Sequence, residues 1–274
     1  MIARALLLPL SMLLPVAGFA ADMVTWMVPE QSALVAAERE NAPLRIADEQ
    51  VKFLTSHLAK FDHRMIEGSF ARNFHEMGHS DGVCVSAAAH NAERDKVALF
   101  SARPVNYPGY RLIFKRGTAQ LFEAVDPDGT ADLEKLYNQP ELRGGYTAGR
   151  ALPELLEKFV ERPERNLRFE KSLSTGRLFN LLSGGRLDFI FALAYETSYL
   201  PLTGDAGVSY VSVPIRGVPA RLPVFIACSK GPVGASVIAS IDELLKSDEQ
   251  WRGFVAPLQR WLDPADYAAV VAQR

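Results

Sequence analysis

The stretch HEMGHSDG, residues 75–82, sets His75 and His79 four residues apart with Glu76 between them. On an unbroken helix that spacing puts two imidazoles on one face, where they can hold a zinc ion while the glutamate serves as general base for hydrolysis. Two arginines offer a different chemistry. Arg94, in AERDK, and Arg150, in YTAGRAL, each carry a planar fork of donors that matches a carboxylate. Cys84 and Cys228 are the two cysteines of the chain. An even count permits one long-range disulfide in an oxidising compartment, and two separately buried thiols fit the residues equally well.

The segments that must position these residues alternate between strand and helix. MVTWMV, residues 23–28, reads as a first strand, and Asp48 is placed to cap a helix whose Val51, Leu54, Leu58 and Phe61 share one face. A short helix is expected from near Ser69, carrying Phe70, Phe74 and Met77, followed by the strand VCVSAA, residues 83–88. RLIFK, residues 111–115, is strand-like. Leu152, Leu155, Leu156, Phe159 and Val160 mark a helix opening just after GYTAGR, and LDFIFAL, residues 187–193, reads as a buried strand. The last third offers strands at SYVSV and LPVFIAC, then helices bearing Val237, Ile238 and Ile241 and, further on, Trp251, Phe254 and Leu258. Such alternation predicts an α/β fold with mostly parallel sheets and helices on both faces.

Composition narrows the setting. Arg4, the apolar run from Ala5 to Ala17 and the small residues Gly18 and Ala20 read as a signal peptide, residues 1–20, cut after Ala20. That run is too short to span a bilayer, so a periplasmic protein without membrane insertion is expected. The rest of the 274 residues suits one large domain or two lobes. Thirty Lys and Arg against thirty-two Asp and Glu leave no basic footprint for nucleic acid and no polybasic membrane patch.

The zinc reading needs more than two histidines and a glutamate. Gly78 follows the last apolar position of its helix, Met77, and is expected to end it, which would leave His79 off the face of His75. A third histidine three residues after Gly82 would complete a metzincin pattern, but that position is Val85. No methionine follows Met77 to form the downstream turn of that pattern. Zinc-dependent hydrolysis through His75, Glu76 and His79 therefore stands only as the alternative.

The run NAERDKVALFS, residues 91–101, resembles the signature of the family 3 bacterial extracellular solute-binding proteins, a Thr-x-x-Arg turn followed six residues later by Phe-Ser. GYTAGRALPELL, LLSGGRLDFIF and FIACSKGPVGASVIASIDELL are similar, in order and spacing, to the second-lobe turn, the Gly-Arg-x-Asp strand and the return to lobe 1. The likeness is greatest to a periplasmic subgroup whose members begin with a Trp-containing strand and carry similarly placed cysteines. The resemblance implies a two-lobe fold of the type II periplasmic-binding kind, with ligand trapped between lobes joined by two crossovers. Lobe 1 would be residues 21–104 and 210–274, and lobe 2 residues 105–209. It would place Cys84 and Cys228 on strands of lobe 1, where a disulfide is expected.

The same resemblance assigns the ligand residues. Arg94 takes the place of the arginine that holds a ligand carboxylate, and Asn91 stands where the family has Thr. Gly149 matches the glycine turn whose following amides form an anion site at a helix start. Arg150 replaces a hydroxyl residue there and would face Arg94 as a second anion contact. Trp26 is either a cleft wall or a core residue. Members that bind amino acids carry an acid five positions after the Asp of Gly-Arg-x-Asp, and counting from Asp188 lands on Leu193. With that ammonium partner missing, a small carboxylate-bearing ligand without an α-amino group is favoured. The expectation is a non-enzymatic solute-binding protein that needs no cofactor or metal and serves an inner-membrane ABC transporter or a sensor receptor. A lyase-like offshoot of the fold is the enzymatic variant.

Overall fold

The computed structural model describes residues 21–29, 45–139, 141–162, 167–172, 174–203 and 208–273. The expected signal segment lies outside them. In chain order the first part comprises β1 (Met23–Val28), α1 (Ile46–His57), β2 (Asp62–Glu67), α2 (Phe70–His79), β3 (Val83–Ala89), β4 (Ala98–Phe100) and β5 (Val105–Pro108). The middle comprises β6 (Tyr110–Lys115), α3 (Ala119–Glu123), α4 (Leu133–Tyr137), β7 (Arg143–Thr147), α5 (Glu154–Val160), β8 (Arg168–Ser172), α6 (Thr175–Ser183), β9 (Phe189–Leu193) and β10 (Tyr210–Pro214). The chain returns through β11 (Arg221–Ser229), α7 (Pro232–Leu244), α8 (Asp248–Val255) and α9 (Pro264–Val271).

These strands form two sheets. The first is six-stranded, ordered β2-β1-β3-β11-β4 with β5 also paired to β11, and the second is five-stranded, ordered β10-β6-β9-β7-β8. Neither is mostly parallel, contrary to expectation. The β1, β2 and β3 strands run parallel, as do β7, β8 and β9, but β11 is antiparallel to its partners and β6 is antiparallel to β9 and β10.

The lobe borders also shift. β5, expected in lobe 2, pairs with β11 of the first sheet, while β10, expected in lobe 1, pairs with β6 of the second. The chain changes sheet at Gly109 and again between Pro214 and Arg221. At the first crossing Gly109 donates to the Ala220 carbonyl at 2.8 Å. A Cβ on Gly109 would fall 2.2 Å from the Pro219 oxygen, so two hinge strands approach this closely only over glycine. Each lobe has its own core: Trp26, Leu54, Trp251 and Phe254 in the first, Phe114, Leu136, Phe189 and Phe191 in the second. Leu222 and Tyr195 pack against both.

Two helix boundaries differ from expectation. Helix α1 starts at Ile46 with Arg45 as its N-cap, and Asp48 lies in the first turn, where its carboxylate accepts the Arg45 N–H at 3.1 Å. Helix α2, capped by Ser69, runs through Gly78 to His79. Gly78 serves close packing, since a Cβ there would sit 3.2 Å from Val97 Cγ1. The glycine that turns the chain is Gly82, at φ 68°. Cys84 of β3 and Cys228 of β11 are directly paired in the antiparallel register, with Cα atoms 4.1 Å apart, and form a disulfide. No helix among the described residues is long and apolar enough to cross a membrane.

A candidate ligand cavity between the lobes

The two sheets face each other across a cavity of about 180 Å³ lined from both sides. Lobe 1 contributes Met27, Gln50, Asn73, Val85 and Arg94, and lobe 2 contributes Thr147, Arg150, Phe179, Leu193 and Glu196. Most of the wall is hydrocarbon, so the few polar groups decide what can sit there.

Arg94 opens a short 3-10 turn, Arg94–Lys96, whose first N–H is accepted by Asn91 Oδ1 at 2.9 Å. The side chain is 7% exposed and stacks over Phe74, 4.2 Å from the ring centre. It donates from Nη1 to the Ala89 carbonyl at 2.6 Å and from Nη2, across the cleft, to the Gly149 carbonyl at 2.9 Å. A guanidinium has five donors, and these two go to neutral oxygens. Burial pulls its pKa down to about 10, with Tyr110 opposing and Arg150 reinforcing the shift. No carboxylate among the described residues pairs with it. Among the described residues, then, Arg94 is a desolvated cation without a counter-ion.

Arg150 is different. Its fork binds Glu196 in bidentate fashion, Nη1 to Oε2 and Nη2 to Oε1 both at 2.9 Å, and Glu196 Oε2 also accepts the Leu193 N–H at 2.8 Å. The two side chains are 13% and 6% exposed. Burial pulls the Arg150 guanidinium down, but the Glu196 carboxylate, with Tyr110 and Tyr195, outweighs it and raises the pKa above its ordinary value. Burial likewise pushes the Tyr110 hydroxyl up. Arg150 lines the cavity as expected, but Glu196 neutralises it, so the role of second anion contact is already taken within the chain. Counting five residues from Asp188 reached Leu193 and stopped three short of this acid. The signal was there in the tetrad Ala194-Tyr195-Glu196-Thr197, an acid immediately after a buried strand.

Other expected site residues fall elsewhere. Asn91 is exposed and caps the Arg94 turn, outside the cavity wall. Gly149, at φ 72°, brings the lobes together: a Cβ on it would meet the Ala71 nitrogen at 2.6 Å. It does not open a helix, because α5 begins only at Glu154, so the expected amide anion site is not formed there. Trp26 is fully buried in the lobe 1 core, with Nε1 donating to His63 Nδ1 at 3.2 Å. His75 and His79 do share a face of α2, their ring centres 4.2 Å apart, and His79 Nδ1 contacts the His75 carbonyl at 2.7 Å. They lie outside the cavity wall, and no group of three or more His, Cys, Asp or Glu among the described residues could hold a metal ion. The acid of HEMGHSDG with a structural task is Asp81. It accepts N–H bonds from Val233 at 2.9 Å and Gly234 at 3.0 Å at the start of α7.

No family model matches the chain, and no curated protein matches it by sequence. Solved structures share its fold. One is an amino acid ABC transporter substrate-binding protein from Streptococcus pneumoniae bound to L-arginine, 14% identical, covering 92% of this chain and 97% of its own, with a TM-score of 0.64. A putative L-cystine ABC transporter protein from Listeria monocytogenes is 16% identical over 89% of this chain and 97% of its own, also at 0.64. An ancestral amino acid-binding protein, a precursor of cyclohexadienyl dehydratase, is 14% identical over 88% and 95%, again at 0.64. The fold is that of the two-lobe amino acid-binding proteins of ABC transporters.

Proposed function

We propose that this protein is a periplasmic solute-binding protein that captures a small carboxylate-bearing molecule by closing its lobes, for delivery to an inner-membrane transporter or a sensor receptor. The observation that carries the reading is Arg94, a buried guanidinium on the wall of the inter-lobe cavity with spare donors and no carboxylate partner among the described residues. An anion placed there would neutralise a charge that no described residue compensates, and a desolvated, charge-assisted pair of that kind is among the stronger contacts a cleft can make. The same arginine already reaches across to Gly149, so binding and closure act through one side chain. The neighbours are described as amino acid-binding proteins, which agrees with carboxylate capture.

The test is a thermal-shift screen of small acids and their uncharged amides, followed by titration calorimetry. A ligand that binds only the folded chain raises its stability by RT ln(1 + [L]/Kd). Acids are expected to shift the transition and amides are not. Arg94→Ala should weaken binding by about 2–5 kcal/mol, and Arg94→Lys, which keeps the charge but loses the fork, should recover only part of it. Near-normal affinity in both variants would show that the anchor lies elsewhere.

A further inference from the structure

Two residues of the cavity wall carry polar atoms that have no hydrogen-bond partner among the described residues. Gln50 on α1 is fully buried and Asn73 on α2 is 6% exposed. The Tyr107 hydroxyl donates to Gln50 Oε1 at 3.2 Å, which leaves Nε2 without a partner, and Asn73 Oδ1 has none either. As placed, both atoms are shielded from bulk solvent, so each amide must turn to meet a molecule in the cavity. A buried amide left unmet is costly, and native structures tolerate it chiefly where a ligand or an ordered water fills the gap. The terminal torsions of Gln and Asn are broad, so either amide can turn toward a bound molecule at little cost. Being uncharged, the two amides complement an uncharged hydrogen-bonding group.

An ammonium finds no matching place in the same wall. Leu193 is apolar, and the one acid among the described residues of the wall, Glu196, already accepts three N–H bonds from Arg150 and Leu193. A cationic group would be desolvated without a free anion and in the field of Arg94.

We propose that the cavity selects a monocarboxylic acid bearing a neutral hydroxyl or oxo group in place of an α-ammonium, with Gln50 and Asn73 as the specificity residues. This rests on the Arg94 reading above. The test uses matched trios built on propanoate, 3-methylbutanoate and 3-phenylpropanoate: the plain acid, the 2-hydroxy acid and the 2-amino acid, each titrated into the intact protein. On at least one skeleton the hydroxy acid should bind at least about tenfold more tightly than both relatives. Gln50→Met or Asn73→Leu should remove the preference, so that within each variant the hydroxy acid binds no more tightly than the plain acid. Should either variant fail to fold, the trios on the unaltered chain decide alone. If the plain or amino acid equals or beats the hydroxy acid on every skeleton, and Arg94→Ala still abolishes binding, this proposal falls and the carboxylate reading stands. If no acid of any trio binds, both fall.

Discussion

Glu196→Ala isolates the least conspicuous polar feature of the site. The substitution removes a carboxylate that accepts three hydrogen bonds, two from Arg150 at 2.9 Å and one from the Leu193 N–H at 2.8 Å, and leaves Arg150, 13% exposed, as a buried cation without its partner. Breaking one side of a buried pair typically costs about 3–5 kcal/mol, two to three and a half decades in the folding equilibrium. Replacing both members with apolar residues of similar size removes the stranded charge, so Glu196→Leu with Arg150→Met should return to within about 1–2 kcal/mol of the parent. Urea unfolding at pH 7 followed by far-UV circular dichroism is the appropriate assay, because all three tryptophans, Trp26, Trp251 and Trp261, belong to the lobe 1 core and would report on that lobe alone. If Glu196→Ala lies within about 1 kcal/mol of the parent, or the double variant is no more stable than the single, the pair is not the buried, mutually dependent unit described here.

Reduction of the Cys84–Cys228 disulfide, which closes a loop with a sequence separation of 144, should cost about 5 kcal/mol by the chain-entropy argument, seen as a lower urea midpoint in dithiothreitol. Asp81→Ala should cost about 1 kcal/mol at pH 7 by uncapping α7. Burial pushes the Asp81 carboxyl up, but the N–H bonds from Gly234, Val233 and Gly82 and the Ser229 hydroxyl outweigh it and hold it below its ordinary value of 3.8. Its contribution is therefore full above that value and lost as pH falls through the lower folded value, so parent and variant should converge in strong acid. His75→Ala and His79→Ala should each leave the melting temperature and ligand response unchanged, and dialysis against EDTA should do the same. One zinc per chain by metal analysis, lost in either variant, would overturn that.

The sequence by itself determined several of the strands and helices, because a short apolar run or a period-3.6 apolar stripe is a local property: MVTWMV, VCVSAA, LDFIFAL and the Val237–Ile241 face all fall where their patterns put them. The family resemblance of NAERDKVALFS singled out Arg94, which lies on the wall of the inter-lobe cavity. What only the tertiary structure decided was partnership. Whether Cys84 meets Cys228 depends on β11 returning beside β3, and whether Arg150 is free depends on where Glu196 arrives, 46 residues later in the chain. The sequence also could not tell a helix-ending glycine from one that admits a neighbour. Gly78 continues α2 because Val97 packs against it, whereas Gly82 turns the chain. Charge and close approach are set by what the fold brings within a few ångströms, and residues distant in sequence supply most of that.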